Sequence, residues 1–209
     1  MTIVAVHVGM PRIETRRSGE LFTGGAKSAA ASAVLRMGGF EGDAVADRHH
    51  HGGPDRTACV YPAEHYEWWK SAHGWDLSPG AFSENLTVEG AREEEICIGD
   101  VVRIGEAMTQ VTLPRDPCRT IDRLTEISSL HRLSRESGRC GFHMRTLEEG
   151  VVRVGDVFEI VRRHPAGVSV AAVLDLYHGR SRDRLLMGRL LEMPEFAEEG
   201  KRELTRRLG

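Results

Sequence analysis

The chain has 209 residues and a formal net charge of −3, with 40% hydrophobic and 6% aromatic residues. That is enough chain for one large domain, or a medium domain with an appendage, and enough apolar content for a packed core rather than disorder. The charge argues against the basic footprint that a nucleic-acid or polybasic membrane surface needs, and no apolar run approaches the roughly 20 residues of a membrane helix. Residues 1–8 lack a basic leader and are too short an apolar run for a signal peptide. The four cysteines, Cys59, Cys97, Cys118 and Cys140, show no CxxC spacing and are too few for a disulfide scaffold. A reduced, soluble, cytoplasmic protein is the expectation.

In chain order, residues 3–8 predict a buried strand, and residues 18–28, rich in Gly, Ser and Thr, a loop. A strand from Ala31 to Met37 ends at Gly38-Gly39, and a polar, turn-rich stretch runs from Gly42 to Asp55. Thr57 to Tyr61 reads as a strand, and Pro62 suits the first turn of a helix reaching about Ser71. His65, Trp68 and Trp69 share a side of that helix, where packing is the simpler role. Ser78-Pro79-Gly80 breaks the chain before a strand at Asn85 to Val88. Ile98-Gly99-Asp100-Val101-Val102-Arg103-Ile104 is echoed by Val154-Gly155-Asp156-Val157-Phe158-Glu159-Ile160. Gly-Asp between β-branched runs suits antiparallel turns, so residues 86–161 read as mainly strands of one barrel-like sheet. Ile127, Leu130 and Leu133 carry helical spacing that Gly138 stops.

After a linker at residues 162–167, the charge balance turns mildly positive with interleaved signs, as on a solvated helical face. Val170, Val173, Leu174 and Tyr177 mark one amphipathic helix. Ser181 is placed to cap a second. Pro194 is placed to open a third, with Phe196, Leu204 and Leu208 inward. Three such helices, ~40 residues, would barely be stable alone and are expected to dock on the body or on a partner.

Cys118 lies in Leu113-Pro114-Arg115-Asp116-Pro117-Cys118-Arg119, a stiff loop flanked by arginines. A thiol near guanidinium groups ionises more easily, and the thiolate is the form that attacks or binds metals. The loop alone leaves a reactive or metal-binding sulfur and a structural one both open. Arg48-His49-His50-His51-Gly52-Gly53-Pro54-Asp55-Arg56 admits three readings. His49 and His51 can share a side and bind zinc with His65 or Asp47. The string can also be a solvated turn. Or the Gly52-Gly53 N–H groups beside His51, Arg48 and Arg56 can cradle an anion. Asn85 can meet the edge of a heterocycle, though an ordinary turn explains it as well. In Phe142-His143-Met144-Arg145, alternation sends Phe142 and Met144 to the core and leaves His143 and Arg145 facing solvent or a pocket. Cys140 reads as a small hydrophobe. No G-x-S-x-G elbow, Walker A loop or dinucleotide fingerprint is present, which argues against serine hydrolysis, phosphoryl transfer and classical nicotinamide binding.

Gly39-Phe40-Glu41-Gly42-Asp43, His51-Gly52-Gly53-Pro54-Asp55-Arg56, Tyr61-Pro62-Ala63-Glu64-His65-Tyr66, Gly80-Ala81-Phe82-Ser83-Glu84-Asn85-Leu86, Pro114-Arg115-Asp116-Pro117-Cys118 and Gly138-Arg139-Cys140-Gly141-Phe142 occur in this order. Together they resemble bacterial MOSC-domain proteins of the YiiM type, MOSC being the C-terminal domain of molybdenum cofactor sulfurase. The resemblance covers nearly the whole chain. It implies an α+β fold that is mainly β with helices: a mixed-strand β-barrel domain over residues 1–163 and a three-helix extension over 168–209. It further implies a molybdopterin cofactor whose metal is held by its ene-dithiolate and by the family cysteine, which falls on Cys118.

The implied activity is reduction of N-hydroxylated compounds such as hydroxylaminopurines, with electrons from a reductase partner. On that basis His51, Gly52, Gly53, Arg56, Asn85 and Arg115 become candidates for cofactor contacts, and Asp55 for orienting Arg56 or His51. His65 and His143 become candidates for proton delivery. Two other classes compete: a sulfur carrier with a persulfide on Cys118, and a non-catalytic carrier of the cofactor. A homodimer through an apolar face of the tail is a further expectation. Three departures stand out. Ser83 occupies a position that is usually glycine, the stretch from Lys27 to Gly38 is short and bears on closure of the barrel, and only His51 of the triple histidine fits the pattern.

Overall fold

The computed structural model describes residues 1–47 and 51–208. The elements in order are β1 (Thr2–Val8), β2 (Arg12–Arg16), β3 (Gly19–Thr23), β4 (Ser28–Ala30), β5 (Ser32–Arg36), β6 (Gly39–Phe40), β7 (Ala58–Pro62), α1 (Glu64–His73), β8 (Leu86–Glu89) and β9 (Val101–Ile104). They continue with β10 (Ala107–Pro114), α2 (Thr120–Thr125), α3 (Leu130–Ser137), β11 (Phe142–Glu148), β12 (Gly150–Arg153), β13 (Phe158–Arg162), α4 (Val170–Tyr177), α5 (Arg184–Glu192) and α6 (Glu198–Leu208). None of the described helices is long and apolar enough to cross a membrane.

Eight strands form the main sheet in the order β13-β9-β10-β11-β7-β8-β1-β4. All neighbours are antiparallel except β7 and β8. A parallel pair needs a long crossover, and the segment containing α1 supplies it. The fold class is α+β, as the sequence implies, but the sheet is not closed as a barrel. The start of β1 approaches the segment before β13 through a Thr2–Val157 bridge and backbone hydrogen bonds from Ile3 N to Asp156 O at 3.0 Å, Gly155 N to Ile3 O at 2.8 Å and Phe158 N to Met1 O at 3.0 Å. β4, three residues from an Ala/Ser-rich stretch, is an edge strand paired with β1 and buries little. β5 leaves the main sheet and pairs with β6 and β12 in a small second sheet.

Several local expectations change. Residues 18–28 are not all loop, because β3 pairs with β2 along five residues of register. Pro62 ends β7 rather than starting a helix, and α1 begins at Glu64. The cap of α5 is Asp183, whose carboxylate accepts from Leu186 N at 3.0 Å, not Ser181. The third tail helix starts at Glu198, after the chain has been pinned to β10 by Ala197 N donating to Thr112 O at 3.1 Å. The Gly-Asp echo is a real structural pair. Asp100 and Asp156 each accept from the backbone N–H three residues back, and the strands that follow, β9 and β13, lie side by side.

The core explains how the tail docks. One cluster joins Val102, Val111, Leu113 and Phe142 of the sheet to Val173 and Leu174 of α4, Leu190 of α5 and Leu204 of α6. A second cluster gathers Tyr61, Tyr66, Trp69, Phe82, Ile121 and Leu130, with the Tyr61 and Phe82 rings stacked at 4.1 Å. Packing is therefore the role of the aromatic helix, sealed by Trp69 Nε1 donating to Tyr61 Oη at 2.8 Å.

Because the tail shares its core with the sheet, Leu174→Ala is expected to destabilise the whole chain by about 2–5 kcal/mol. Urea unfolding followed by tryptophan fluorescence and by far-UV dichroism would shift in parallel. A shift in dichroism alone would instead mark residues 168–209 as a separate folding unit.

Candidate functional site

β10 delivers its C-terminal end to the loop that carries Cys118. Arg115 N donates to Gly141 O at 3.0 Å and Ile121 N to Cys118 O at 3.2 Å, so both sides of the loop are tied down. Gly141 has to be glycine. Its φ is +77°, and a Cβ there would run into the Val60 carbonyl of β7. Cys118 is half-buried, with its Sγ 3.9 Å from His51 Nε2. Burial opposes ionisation, but hydrogen bonds from His51 and from the hydroxyl and backbone N–H of Thr120 outweigh it, bringing the thiol down to about 6. The flanking arginines are not the main cause, contrary to the sequence expectation. Arg119 is exposed, and His51 and Thr120 supply the stabilisation.

The sulfur lines a cavity of about 520 Å³. Of the residues singled out in the sequence, Cys118, His143, His51, Gly52, Arg56, Asn85 and Arg115 line it, whereas Gly53, Asp55 and His65 do not. Arg115 is 8% exposed, and its Nη1 has no hydrogen-bond partner. A buried guanidinium nitrogen left unsatisfied is costly unless a ligand answers it. His143 also lacks a partner for Nδ1. Burial first, then the charges of Arg56, Arg115, His51 and Lys27, push it well below the ordinary histidine range. At neutral pH the ring is uncharged, so it can orient a ligand through hydrogen bonds but does not store a proton.

Other expected roles are reassigned. Asn85 lines the cavity, yet its amide is engaged within the protein. Oδ1 accepts from Cys59 N at 3.1 Å, and Nδ2 donates to His7 O at 3.2 Å and to Asp43 Oδ2 at 2.9 Å. Asp55 pairs with Arg145 at 3.0 Å and does not orient Arg56 or His51. Arg56 pairs with Glu199 of α6 at 2.5 Å. His65 sits in a different hollow, with Nε2 2.7 Å from Glu93 Oε2. Glu93 is 2% exposed, and its other oxygen accepts from Cys140 N at 3.0 Å and Gly141 N at 2.7 Å. His65 thus braces the loop from behind instead of delivering protons to the cavity.

The zinc reading finds no support in placement. His51 faces Cys118 and His65 faces Glu93, while His49 lies outside the described residues. Among the described residues, no cluster of three His, Cys, Asp or Glu side chains could hold a metal ion.

Several lining residues escaped the sequence reading. Lys27 is nearly buried and salt-bridged to Asp43, which also accepts from Gly9 N at 2.9 Å. Thr120 and Glu199 are the others that matter. The Gly24-Gly25-Ala26-Lys27 string, glycines followed by a cation, was the available signal for Lys27. Glu199 had none, because a charged residue on an amphipathic helix looks like surface.

The family model described as MOSC domain matches residues 47–159, and the one described as YiiM-like, 3-alpha helix domain matches residues 168–208. The Bacillus subtilis (strain 168) protein YflK is 42% identical over 170 residues, covering 81% of this chain and 77% of that protein. A protein of Gibberella moniliformis named reductase is 27% identical over 148 residues, covering 69% of this chain but 26% of its own length. The crystal structure of YiiM from Geobacillus stearothermophilus superposes with a TM-score of 0.83 at 26% identity, over 100% of this chain and 99% of that one.

Two measurements check the site. The rate of Cys118 alkylation by iodoacetamide is expected to rise with pH through a midpoint near 6, as the thiolate forms. In His51→Ala the midpoint should move up toward the ordinary thiol value of about 8.5. Glu93→Ala strands His65 and two backbone N–H groups in the interior. It is expected to lower stability by about 3 kcal/mol or more in urea unfolding.

Proposed function

Because this chain belongs to the MOSC domain family, with a YiiM-like three-helix domain behind it, we propose that it is a molybdenum-cofactor-dependent oxidoreductase that reduces N-hydroxylated compounds to amines. The family is associated with the molybdenum cofactor in general, and the reductase name of the fungal relative supports a reductive reaction. The observation that carries the reading is the placement of the Cys118 sulfur, 3.9 Å from His51 Nε2, in a cavity of about 520 Å³ that also holds a buried arginine nitrogen without a partner.

The residues fit the group. Molybdenum takes soft thiolate donors, and the ligand must be deprotonated to bind, which suits Cys118. Arg115 and Arg56 present guanidinium groups to the cavity, and the Gly52 turn adds backbone. Phosphate oxygens pair well with such donors. When bound, the cofactor supplies the two-electron redox chemistry. The balance is one N-hydroxylated substrate, two electrons and two protons giving one amine and one water, with the electrons delivered by a reductase partner.

In this scheme Cys118 ligates the metal and His51 hydrogen-bonds its sulfur. Arg115 anchors the anionic part of the cofactor from the cavity wall. Arg56, held by Glu199, does so at the rim. His143, uncharged, orients the N–O group through Nδ1. Solvent reaching the open side of the cavity supplies the protons. The half-exposed thiolate also suits a persulfide, so a sulfur carrier is the second reading.

Protein from a cofactor-proficient host is expected to carry molybdenum and fluorescent pterin, and to reduce a hydroxylaminopurine with an artificial electron donor. Cys118→Ser should lose both metal and turnover, and full activity in that variant would defeat the assignment. Cyanide-labile sulfur on Cys118 with little molybdenum would favour the carrier. Arg115→Gln should retain cofactor about tenfold less tightly, the worth of one charge-assisted hydrogen bond.

A further inference from the structure

Ser83 has φ +59°, in the left-handed region where a side chain is strained and glycine is not. Its surroundings prevent relaxation. Ser83 N donates to Gly80 O at 2.9 Å, closing a tight turn. Phe82 before it is fully buried in the aromatic cluster. Glu84 after it is fully buried and accepts from Tyr66 Oη at 2.5 Å, Gly80 N at 2.7 Å and Thr87 Oγ1 at 2.7 Å. The backbone at 83 is therefore set by its neighbours, and glycine would meet the demand at lower cost.

The side chain brings two further costs. Ser83 Oγ is buried and has no hydrogen-bond partner, an arrangement that penalises folding. Space is also kept for it across the wall. A Cβ on Gly25 would stand 2.8 Å from Ser83 Oγ, so a larger residue at 25 would meet the hydroxyl where it now sits and turn it out of this wall. Backbone strain, an unsatisfied hydroxyl and a reserved gap converge on one residue. Both Ser83 and Gly25 line the Cys118 cavity. Strain and unmet polar groups concentrated at a cavity wall mark function rather than folding.

From this we propose that Ser83 is a ligand-contacting, specificity-determining residue, whose hydroxyl hydrogen-bonds the polar edge of a flat heterocycle in the cavity. The proposal rests on the cofactor-enzyme reading above. Serine has three staggered χ1 wells, so the hydroxyl can swing from Gly25 into the cavity without moving the backbone. An edge that alternates ring nitrogens with N–H or carbonyl groups can both give and take a hydrogen bond with it. The pterin of a cofactor and the purine of a substrate share that chemistry.

The test uses the full chain from a host unable to make the cofactor, as wild type, Ser83→Gly and Ser83→Ala. Two probes are titrated by fluorescence, pterin-6-carboxylate and 6-hydroxylaminopurine, and thermal unfolding is recorded alongside. Ser83→Gly is expected to unfold at or above the wild-type temperature, yet to bind one probe about threefold to tenfold more weakly, as loss of one neutral hydrogen bond implies. Ser83→Ala keeps the backbone strain but sheds the unsatisfied hydroxyl, so it should show the same weakening with a smaller gain in stability than Ser83→Gly. Weakening confined to the pterin places the contact on the cofactor ring, and weakening confined to the purine places it on the substrate. If wild type binds a probe and both variants bind it equally well, the role of Ser83 is overturned and the cofactor reading stands. If wild type binds neither probe, both fall together.

Discussion

Glu93 is almost wholly buried, and both of its oxygens are engaged: one by His65, the other by two consecutive backbone N–H groups at Cys140 and Gly141. A carboxylate in the interior is tolerated only when it is answered in this way. The consequence reaches the cavity through Gly141, whose carbonyl accepts from Arg115 N. The loop bearing Arg115 and Cys118 is thus held by a short relay from a buried carboxylate, through a glycine that alone can pass so close to β7. Site geometry and core stability are in this sense one problem. A residue that looks catalytic by type, His65, serves the site from outside it.

The cavity wall combines paired and unpaired charge. Lys27 is balanced by Asp43, Arg56 by Glu199, and Arg135 by Asp116 at 2.6 Å. Arg115 lies deepest, and it is the one whose Nη1 is left unanswered. Paired cations hold the shape of the wall, while an unanswered nitrogen gives a ligand something to satisfy. The helical tail belongs to this wall. Its core contacts with α4 and β10 bring α6 over the sheet, and Glu199 then reaches Arg56. A segment that resembles an appendage in sequence therefore supplies a side chain to the site.

The sulfur shows how environment replaces sequence neighbourhood. Two arginines flank Cys118 in the chain, yet the groups that draw its proton away are His51, 67 residues distant, and Thr120 at the start of α2. Arg119, the N-cap residue of α2, is exposed to solvent. Ionisation follows distance and hydrogen bonding in three dimensions, and adjacency along the backbone guarantees neither.

Much of the fold was legible in the chain itself. The strands expected at residues 3–8 and 57–61, the Gly-Asp echo that became neighbouring strands, and the glycine stop at Gly138 all follow from local periodicity and turn chemistry. So did the cysteine, the His51-Gly52 turn and Arg115, because unusual residue types in stiff loops are visible one string at a time. What the linear order could not decide was pairing at a distance. Whether the sheet closes depends on how far the start of β1 pairs with the segment before β13, which lies more than 150 residues away. Whether Asn85, Asp55 and His65 serve a ligand or the protein depends on which partners the fold brings within hydrogen-bond reach. Lys27, Thr120 and Glu199 are ordinary residues locally, and they form part of a cavity only because sheet, aromatic cluster and tail pack around one hollow.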